Sequence, residues 1–176
     1  MIASVPGVPS NVVLTGFMGT GKSTVGRLVA ELLGYEFVDT DAVIAERHGS
    51  IPEIFATAGE AAFRQYEREV AAEFAEREGM VVATGGRLLL DPDNAAVLGA
   101  TGAVFCLTAE LDTILARVTA DGVAHERPLL AGPDVEERIS LLWEARAAAY
   151  AQFEQVDTDA RTPADVAVDI VGRLTR

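Results

Sequence analysis

Lysine is nearly absent from this chain. The 176 residues include 14 lysines and arginines, and Lys22 is the only lysine among them. GTPases recognise guanine through an Asn-Lys-x-Asp motif, and the one lysine of this chain does not lie in such a segment. A GTPase is therefore not expected. Lys22 follows a glycine-rich segment, where a compact ammonium group on a flexible stem suits phosphate binding.

Cysteine and long apolar runs are also scarce. Cys106 is the only cysteine, which excludes an intramolecular disulfide and a cysteine-based metal site, and its apolar neighbours predict a core position. No apolar stretch reaches the ~18 residues that a membrane span needs. Residues 1–7 lack the basic segment of a signal peptide. We therefore expect a cytoplasmic protein with no membrane partner.

Acidic residues outnumber basic residues over the chain as a whole. The formal net charge is −13, with a pI near 4.5, which disfavours nucleic acid as a partner. An anionic ligand must then be held by a local cluster of cations. The length fits a single domain, residues 1–176, with a sizeable core, and we expect a monomer.

Residues 12–24 are the segment around which the chain is organised. An apolar, β-branched run leads into Gly16-x-x-x-x-Gly21-Lys22-Ser23, which matches the P-loop pattern at every position, and a helical apolar stripe follows. Glycines let backbone N–H groups point at phosphate oxygens, and the helix N-terminus adds a favourable dipole. Lys22 would reach the β- and γ-phosphates, and Ser23 would bind Mg²⁺. The segment predicts a nucleotide-phosphate site.

Strand and helix patterns alternate along the chain. This alternation predicts an α/β fold of three layers, with a parallel sheet covered by helices on both faces. The later strands are predicted at residues 35–39, 80–83 and 103–107 and around Val156.

Acidic and glycine residues follow two of these strands, where α/β sheets bind ligands. Of Asp39 and Asp41, one could hold Mg²⁺ and the other could accept a proton from a hydroxyl nucleophile; alternatively, Asp41 caps the next helix. Gly85 and Gly86 would let a bound molecule approach the backbone, or they form an ordinary tight turn.

Three arginines are candidates for binding an anion. Arg64 could pair with Glu67 three residues later, or clamp a carboxylate with its planar fork. Arg146 interrupts an apolar helix face and therefore requires a partner, either a structural salt bridge or an anionic substrate. Arg127 lies in a loop without periodicity, residues 121–133, which is typical of a closing lid that brings positive charge to a transferring phosphoryl group.

Six motifs follow one another along the chain: Gly16-Phe17-Met18-Gly19-Thr20-Gly21-Lys22-Ser23-Thr24, Asp39-x-Asp41, Phe63-Arg64-x-x-Glu67, Gly85-Gly86, Arg127-Pro128-Leu129-Leu130 and Arg146-x-x-x-Tyr150. In this combination the chain resembles the shikimate kinase family along nearly its whole length. The resemblance implies a small P-loop kinase of the nucleoside-monophosphate-kinase type, with a five-stranded parallel sheet, that transfers the γ-phosphate of ATP to the 3-hydroxyl of shikimate in aromatic amino-acid synthesis.

The resemblance also implies a role for each matching residue. Catalysis would fall to Lys22, Asp41 and the lid residue Arg127, and a helical region over 41–78 would bind the acceptor. Ser23 and Asp39 would serve Mg²⁺. ATP would be held by Gly19, Thr20, Gly21, Lys22, Ser23 and Thr24, with Arg117 and Arg161 beside adenine; shikimate would be held by Asp41, Arg64, Gly85, Gly86 and Arg146.

Arg87 departs from the family pattern, which usually has a third glycine at this position. Its side chain either points away from the acceptor, the orientation we favour, or points inward and adds a cation that suits a more acidic acceptor. Two alternatives therefore stand beside shikimate kinase. One is a P-loop kinase for another polyol or cyclitol acid such as gluconate, and the other is an ATP-binding regulatory protein that has lost acceptor chemistry.

Overall fold

The computed structural model describes residues 9–120 and 134–175, and its centre is a parallel β-sheet. Its strands are β1 (Asn11–Gly16), β2 (Glu36–Asp39), β3 (Met80–Ala83), β4 (Gly102–Thr108) and β5 (Glu154–Asp157). The five strands pair in the order β2-β3-β1-β4-β5, and all four pairings are parallel. The predicted α/β fold with a five-stranded parallel sheet is therefore confirmed.

Helices cover both faces of the sheet, so the predicted three layers are present. The helices are α1 (Lys22–Leu33), α2 (Thr40–His48), α3 (Ile51–Thr57), α4 (Gly59–Ala75), α5 (Pro92–Gly99), α6 (Leu111–Ala120), α7 (Val135–Tyr150) and α8 (Pro163–Leu174). Alternate residues of β1 face opposite layers: Val12 and Leu14 pack with α1 and α8, whereas Val13 packs with α2 to α5. In the described part of the chain, none of the helices is long and apolar enough to cross a membrane.

The predicted bounds of the second, third and fourth strands agree with the structure to within one residue at each end. The second strand begins at Glu36 rather than at residue 35, because the Tyr35 amide donates to the Ala30 carbonyl, 2.9 Å away, and so completes the end of α1. Gly34 closes α1 in the left-handed conformation, with φ of 68°. Cys106 is buried in the core, as predicted.

The core on the α4 side of the sheet should dominate stability. Phe74 of α4 is 1% exposed, so Phe74→Ala should lower the free energy of unfolding by about 3–5 kcal/mol, measured by urea denaturation. Leu141→Ala on α7 is the control, because Leu141 is 59% exposed and should change the free energy by less than about 0.5 kcal/mol. Equal effects of the two variants would contradict the assignment of this core.

Candidate active site

The loop between β1 and α1 has the backbone that its glycines predict. Gly19 and Gly21 adopt positive φ, 76° and 88°, where a side chain would be strained. At Gly16, with φ of 133°, an added Cβ would lie 2.3 Å from the Leu107 carbonyl oxygen of the neighbouring strand. Lys22 Nζ donates to the carbonyl oxygens of Gly16 and Phe17, each at 2.9 Å. The ammonium group therefore lies within the curve of the loop.

Asp39 connects the P-loop to the end of β2. Its Oδ2 accepts from Ser23 Oγ at 2.7 Å, and its Oδ1 accepts from the amides of Asp41 and Ala42 at the start of α2. Asp39, not Asp41, is therefore the cap of α2, so the alternative interpretation of Asp41 as the cap is wrong. Capping fixes the carboxylate, and its second oxygen faces the serine.

The Ser23 hydroxyl and the Asp39 carboxylate offer oxygen ligands of the kind that Mg²⁺ accepts. In the described residues no group of three or more His, Cys, Asp and Glu side chains could hold a metal ion. A cation there would need other ligands besides Ser23 and Asp39. This fits Mg²⁺, which binds to one or two protein oxygens and completes its shell with water and substrate phosphates.

Asp41 lies against the glycine pair that follows β3. A Cβ added at Gly85 would lie 2.4 Å from Asp41 Oδ1, so the first glycine leaves room for a carboxylate of the protein itself. At Gly86 the nearest neighbours of a Cβ would be Arg146 Nη1 and the Tyr150 hydroxyl, both at 3.7 Å. The Tyr150 hydroxyl also donates to the Gly86 carbonyl, which ties this loop to the end of α7.

Arg64 forms the predicted ion pair with Glu67, at 2.6 Å. Glu67 is only 2% exposed; burial raises its pKa, while Arg64 acts in the opposite direction. The other side of the Arg64 guanidinium donates through Nε and Nη2 to Glu60 Oε1, at 3.2 and 2.9 Å. Two carboxylates thus fix the orientation of this arginine.

Arg146 is held differently. It is 8% exposed, its guanidinium carbon lies 5.7 Å from the centre of the Phe17 ring, and no carboxylate of the described residues forms an ion pair with it. Burial lowers its pKa; Tyr150 opposes the shift, and repulsion by Arg87 and Arg64 adds to it. The predicted structural salt bridge is therefore not found in the part of the chain that the structure describes.

Two further arginines border the P-loop on the β5 side. Arg117 donates to the carbonyl oxygens of Gly19 and Thr158 and to the Thr158 hydroxyl, at 3.0 to 3.2 Å. Arg161 pairs with Asp169 at 3.0 Å. Both guanidinium groups are thus held in place by the protein.

One cavity of about 810 Å³ joins these groups. It contains every residue predicted for the site except Arg127, which lies with the predicted lid, 121–133, outside the described residues. Ile51, Phe55 and Phe63 form an apolar wall of the cavity. This wall was not predicted, because apolar residues at helical spacing look the same in the sequence whether they face a core or a cavity. The predicted residues in the cavity are Gly19, Thr20, Gly21, Lys22, Ser23, Thr24, Asp39, Asp41, Arg64, Gly85, Gly86, Arg117, Arg146 and Arg161.

A phosphate-binding loop and an arginine-lined pocket open into this one cavity, at the carboxyl edge of a parallel sheet. This arrangement defines the class of protein as a P-loop kinase for a small molecule. Comparison with known proteins then identifies the family. The sequence model of the shikimate kinase family matches residues 18–175, and the chain belongs to that family.

Individual relatives agree with this assignment. The shikimate kinase of Geobacter sulfurreducens is 47% identical over 169 residues, which cover 95% of this chain and 92% of the relative. The structure of shikimate kinase from Acinetobacter baumannii in complex with shikimate superimposes with a TM-score of 0.87 at 35% identity, covering 95% and 93% of the two chains. A gluconokinase from Sinorhizobium meliloti, with a TM-score of 0.66, 21% identity and 96% and 93% coverage, shares the fold alone.

The two glycines after β3 should respond differently to substitution. Gly85→Ala forces the Asp41 carboxylate to move and should cost about 1–3 kcal/mol of unfolding free energy. Gly86→Ala makes only ordinary contacts at 3.7 Å and should be neutral or stabilising by up to about 1 kcal/mol, because alanine restricts the unfolded chain. Urea denaturation of both variants measures the difference, and a destabilised Gly86→Ala protein with an unaffected Gly85→Ala protein would contradict it.

Proposed function

We propose that this kinase transfers the γ-phosphate of ATP to the 3-hydroxyl of shikimate, producing shikimate 3-phosphate for aromatic amino-acid synthesis. The observation that carries the proposal is the buried Arg146 guanidinium, which shares a cavity with Lys22 and forms no ion pair with a carboxylate of the described residues. Tyr150 is its hydrogen-bonding neighbour, but an anion stabilises a buried cation more than a neutral hydroxyl does. Shikimate offers one carboxylate for this position and hydroxyl groups for the reaction.

The acceptor would lie between the arginines and the P-loop. Arg146 and Arg64 would bind its carboxylate, and planar guanidinium groups fix such a ligand in orientation as well as in position. The Gly85-Gly86 backbone would border the ring. Asp41 would then accept the proton of the attacking hydroxyl, the role that a carboxylate has in kinases.

The nucleotide would occupy the opposite half of the cavity. Amides of Gly19, Thr20, Gly21, Ser23 and Thr24 would bind its phosphates, and Lys22 would neutralise charge on the β- and γ-phosphates. Ser23 and Asp39 would hold Mg²⁺, which would offset negative charge on the phosphates. Arg117 and Arg161 would flank adenine.

Arg127 would complete the site from the lid, residues 121–133. An arginine beside the transferring phosphoryl group stabilises charge in the transition state, and closure of a lid excludes water that would otherwise hydrolyse ATP. The single domain, the acceptor-binding role of region 41–78, the cytoplasmic location and the monomeric state remain predictions of the sequence.

The experiment that tests the function is ADP release measured over a panel of acceptors. We expect turnover with shikimate and none with gluconate or cyclitols. Turnover with gluconate alone would replace shikimate by a polyol acid, and ATP binding without turnover on any acceptor would favour the regulatory alternative.

The first substitution tests the P-loop. Lys22→Ala removes one preorganised cation from the phosphates and should lower kcat by roughly 10²–10³-fold while the protein stays folded by circular dichroism. Arg27→Ala, on the exposed side of the same helix, is the control and should retain wild-type turnover. A folded Lys22→Ala protein with near-normal kcat would refute the role of Lys22.

Two further substitutions test the acceptor pocket. Arg64→Ala and Arg146→Ala should each raise KM for shikimate by roughly 10–100-fold, the loss expected for hydrogen bonds to a charged group, and should leave KM for ATP unchanged. Arg77→Ala is the control, since Arg77 pairs with Glu36 near the amino ends of β2 and β3. If Arg146→Ala unfolds the protein while acceptor binding by the folded fraction is normal, Arg146 is structural.

A further inference from the structure

Arg87 occupies the position where the family pattern has glycine, and its backbone does not need glycine. Its φ of −115° and ψ of −8° are ordinary for any residue, and it begins the short 3₁₀ turn Leu88–Leu90. Its side chain lines the cavity and is 45% exposed. The Arg87 side chain therefore neither points away from the acceptor pocket nor fills it, but lies at the opening of the cavity.

Arg87 shares a carboxylate with the proposed acceptor-binding arginine. Its Nη1 donates to Glu60 Oε1 at 2.8 Å, and the same oxygen accepts from Nε and Nη2 of Arg64. Arg64 and Glu60 both belong to α4, whereas Arg87 belongs to the loop after β3. One oxygen atom thus links the two walls of the pocket.

Glu60 is unfavourable for an anionic acceptor in two respects. Its negative charge lies close enough to Arg146 to interact with it, and it occupies donors of Arg64 that an incoming carboxylate could use. The hydrogen bond from Arg64 and the charges of Arg64, Arg87 and Arg146 lower the pKa of Glu60, so the group is ionised at neutral pH. Arg87 places a second positive charge beside Glu60 and so reduces both unfavourable effects on the acceptor.

We propose that Arg87 is a positioning residue that acts through Glu60: it draws part of the Glu60 charge away from Arg64 and so leaves Arg64 available to the acceptor carboxylate. The inference rests on the proposed function, because it requires an acceptor with a carboxylate. It assigns to Arg87 a role in acceptor affinity and none in nucleotide binding or in the chemical step.

The direct test is steady-state kinetics of Arg87→Ala with shikimate. We expect KM for shikimate to rise about fivefold, which corresponds to about 1 kcal/mol, with kcat and KM for ATP unchanged. Arg87→Lys keeps the positive charge and should restore KM to within about twofold. Arg77→Ala is the matched control, because the Arg77–Glu36 pair is similarly exposed, 41% and 56%, against 45% and 46% for Arg87 and Glu60, and lies outside the cavity.

A double-mutant cycle separates action through Glu60 from direct contact with the acceptor. In a Glu60→Gln background the carboxylate is gone, so Arg87→Ala should change KM for shikimate by less than about twofold. A fivefold rise in both backgrounds would show that Arg87 binds the acceptor itself and would overturn the inference. An unchanged or lowered KM in the wild-type background would overturn it as well.

The outcomes also distinguish this inference from the proposed function. Absence of shikimate-dependent ADP release by the wild-type protein would refute the proposed function and with it the acceptor that the inference needs. Normal turnover by wild type with no effect of Arg87→Ala on KM would refute the inference alone. Circular dichroism of each variant verifies the fold, and we expect no loss, since exposed ion pairs contribute little to stability.

Discussion

The parallel register of the three strands β2, β3 and β1 is the constraint on which the site depends. Asp39 pairs with Ala83, and Ala83 pairs with Leu14. The ends of β2 and β3 therefore lie side by side, β1 ends two residues further on at Gly16, and the three following loops start at one edge. The P-loop, the capping Asp39 and the Gly85-Gly86 turn become neighbours for this reason. A register slip of one residue would also turn the side chains that pack against one helix layer toward the other layer. Core packing and the position of the site are therefore fixed together.

Local sequence patterns predicted the parts of the site whose geometry is local. The P-loop pattern contains its own turn, and Arg64 and Glu67 lie three residues apart on one helix. The relation between Asp39 and Asp41 was harder, because the cap of α2 is identified by the amides of Asp41 and Ala42 donating to Asp39. The contact of Asp39 with Ser23 joins residues sixteen positions apart, which no local pattern indicates. Contacts such as Arg87 with Glu60, 27 residues apart, depend on how α4 packs beside the loop after β3, and no spacing in the sequence indicates them.

The arginines in the cavity differ in what balances their charge. Arg161 and Arg64 have carboxylate partners, and Arg117 donates to backbone oxygens; their partners hold them in fixed orientations. Arg146 has no such carboxylate in the described residues, and its lowered pKa reports the cost of burial. An anionic acceptor would offset that cost on binding. Binding of such a ligand would therefore stabilise Arg146 more than the arginines that already have partners in the protein.

The bias toward arginine makes this arrangement possible. A buried lysine tends to lose its proton when no anion is present, because burial disfavours the charged form and shifts its pKa readily. Arginine starts from a far higher pKa and stays charged in the same environment. Burial of Arg146 therefore costs free energy without removing its charge, so on the proposed function the guanidinium would attract the acceptor carboxylate as soon as the acceptor arrives. At the P-loop a different property matters, because on the proposed function the compact ammonium of Lys22, on its flexible stem, would contact phosphate oxygens from several directions.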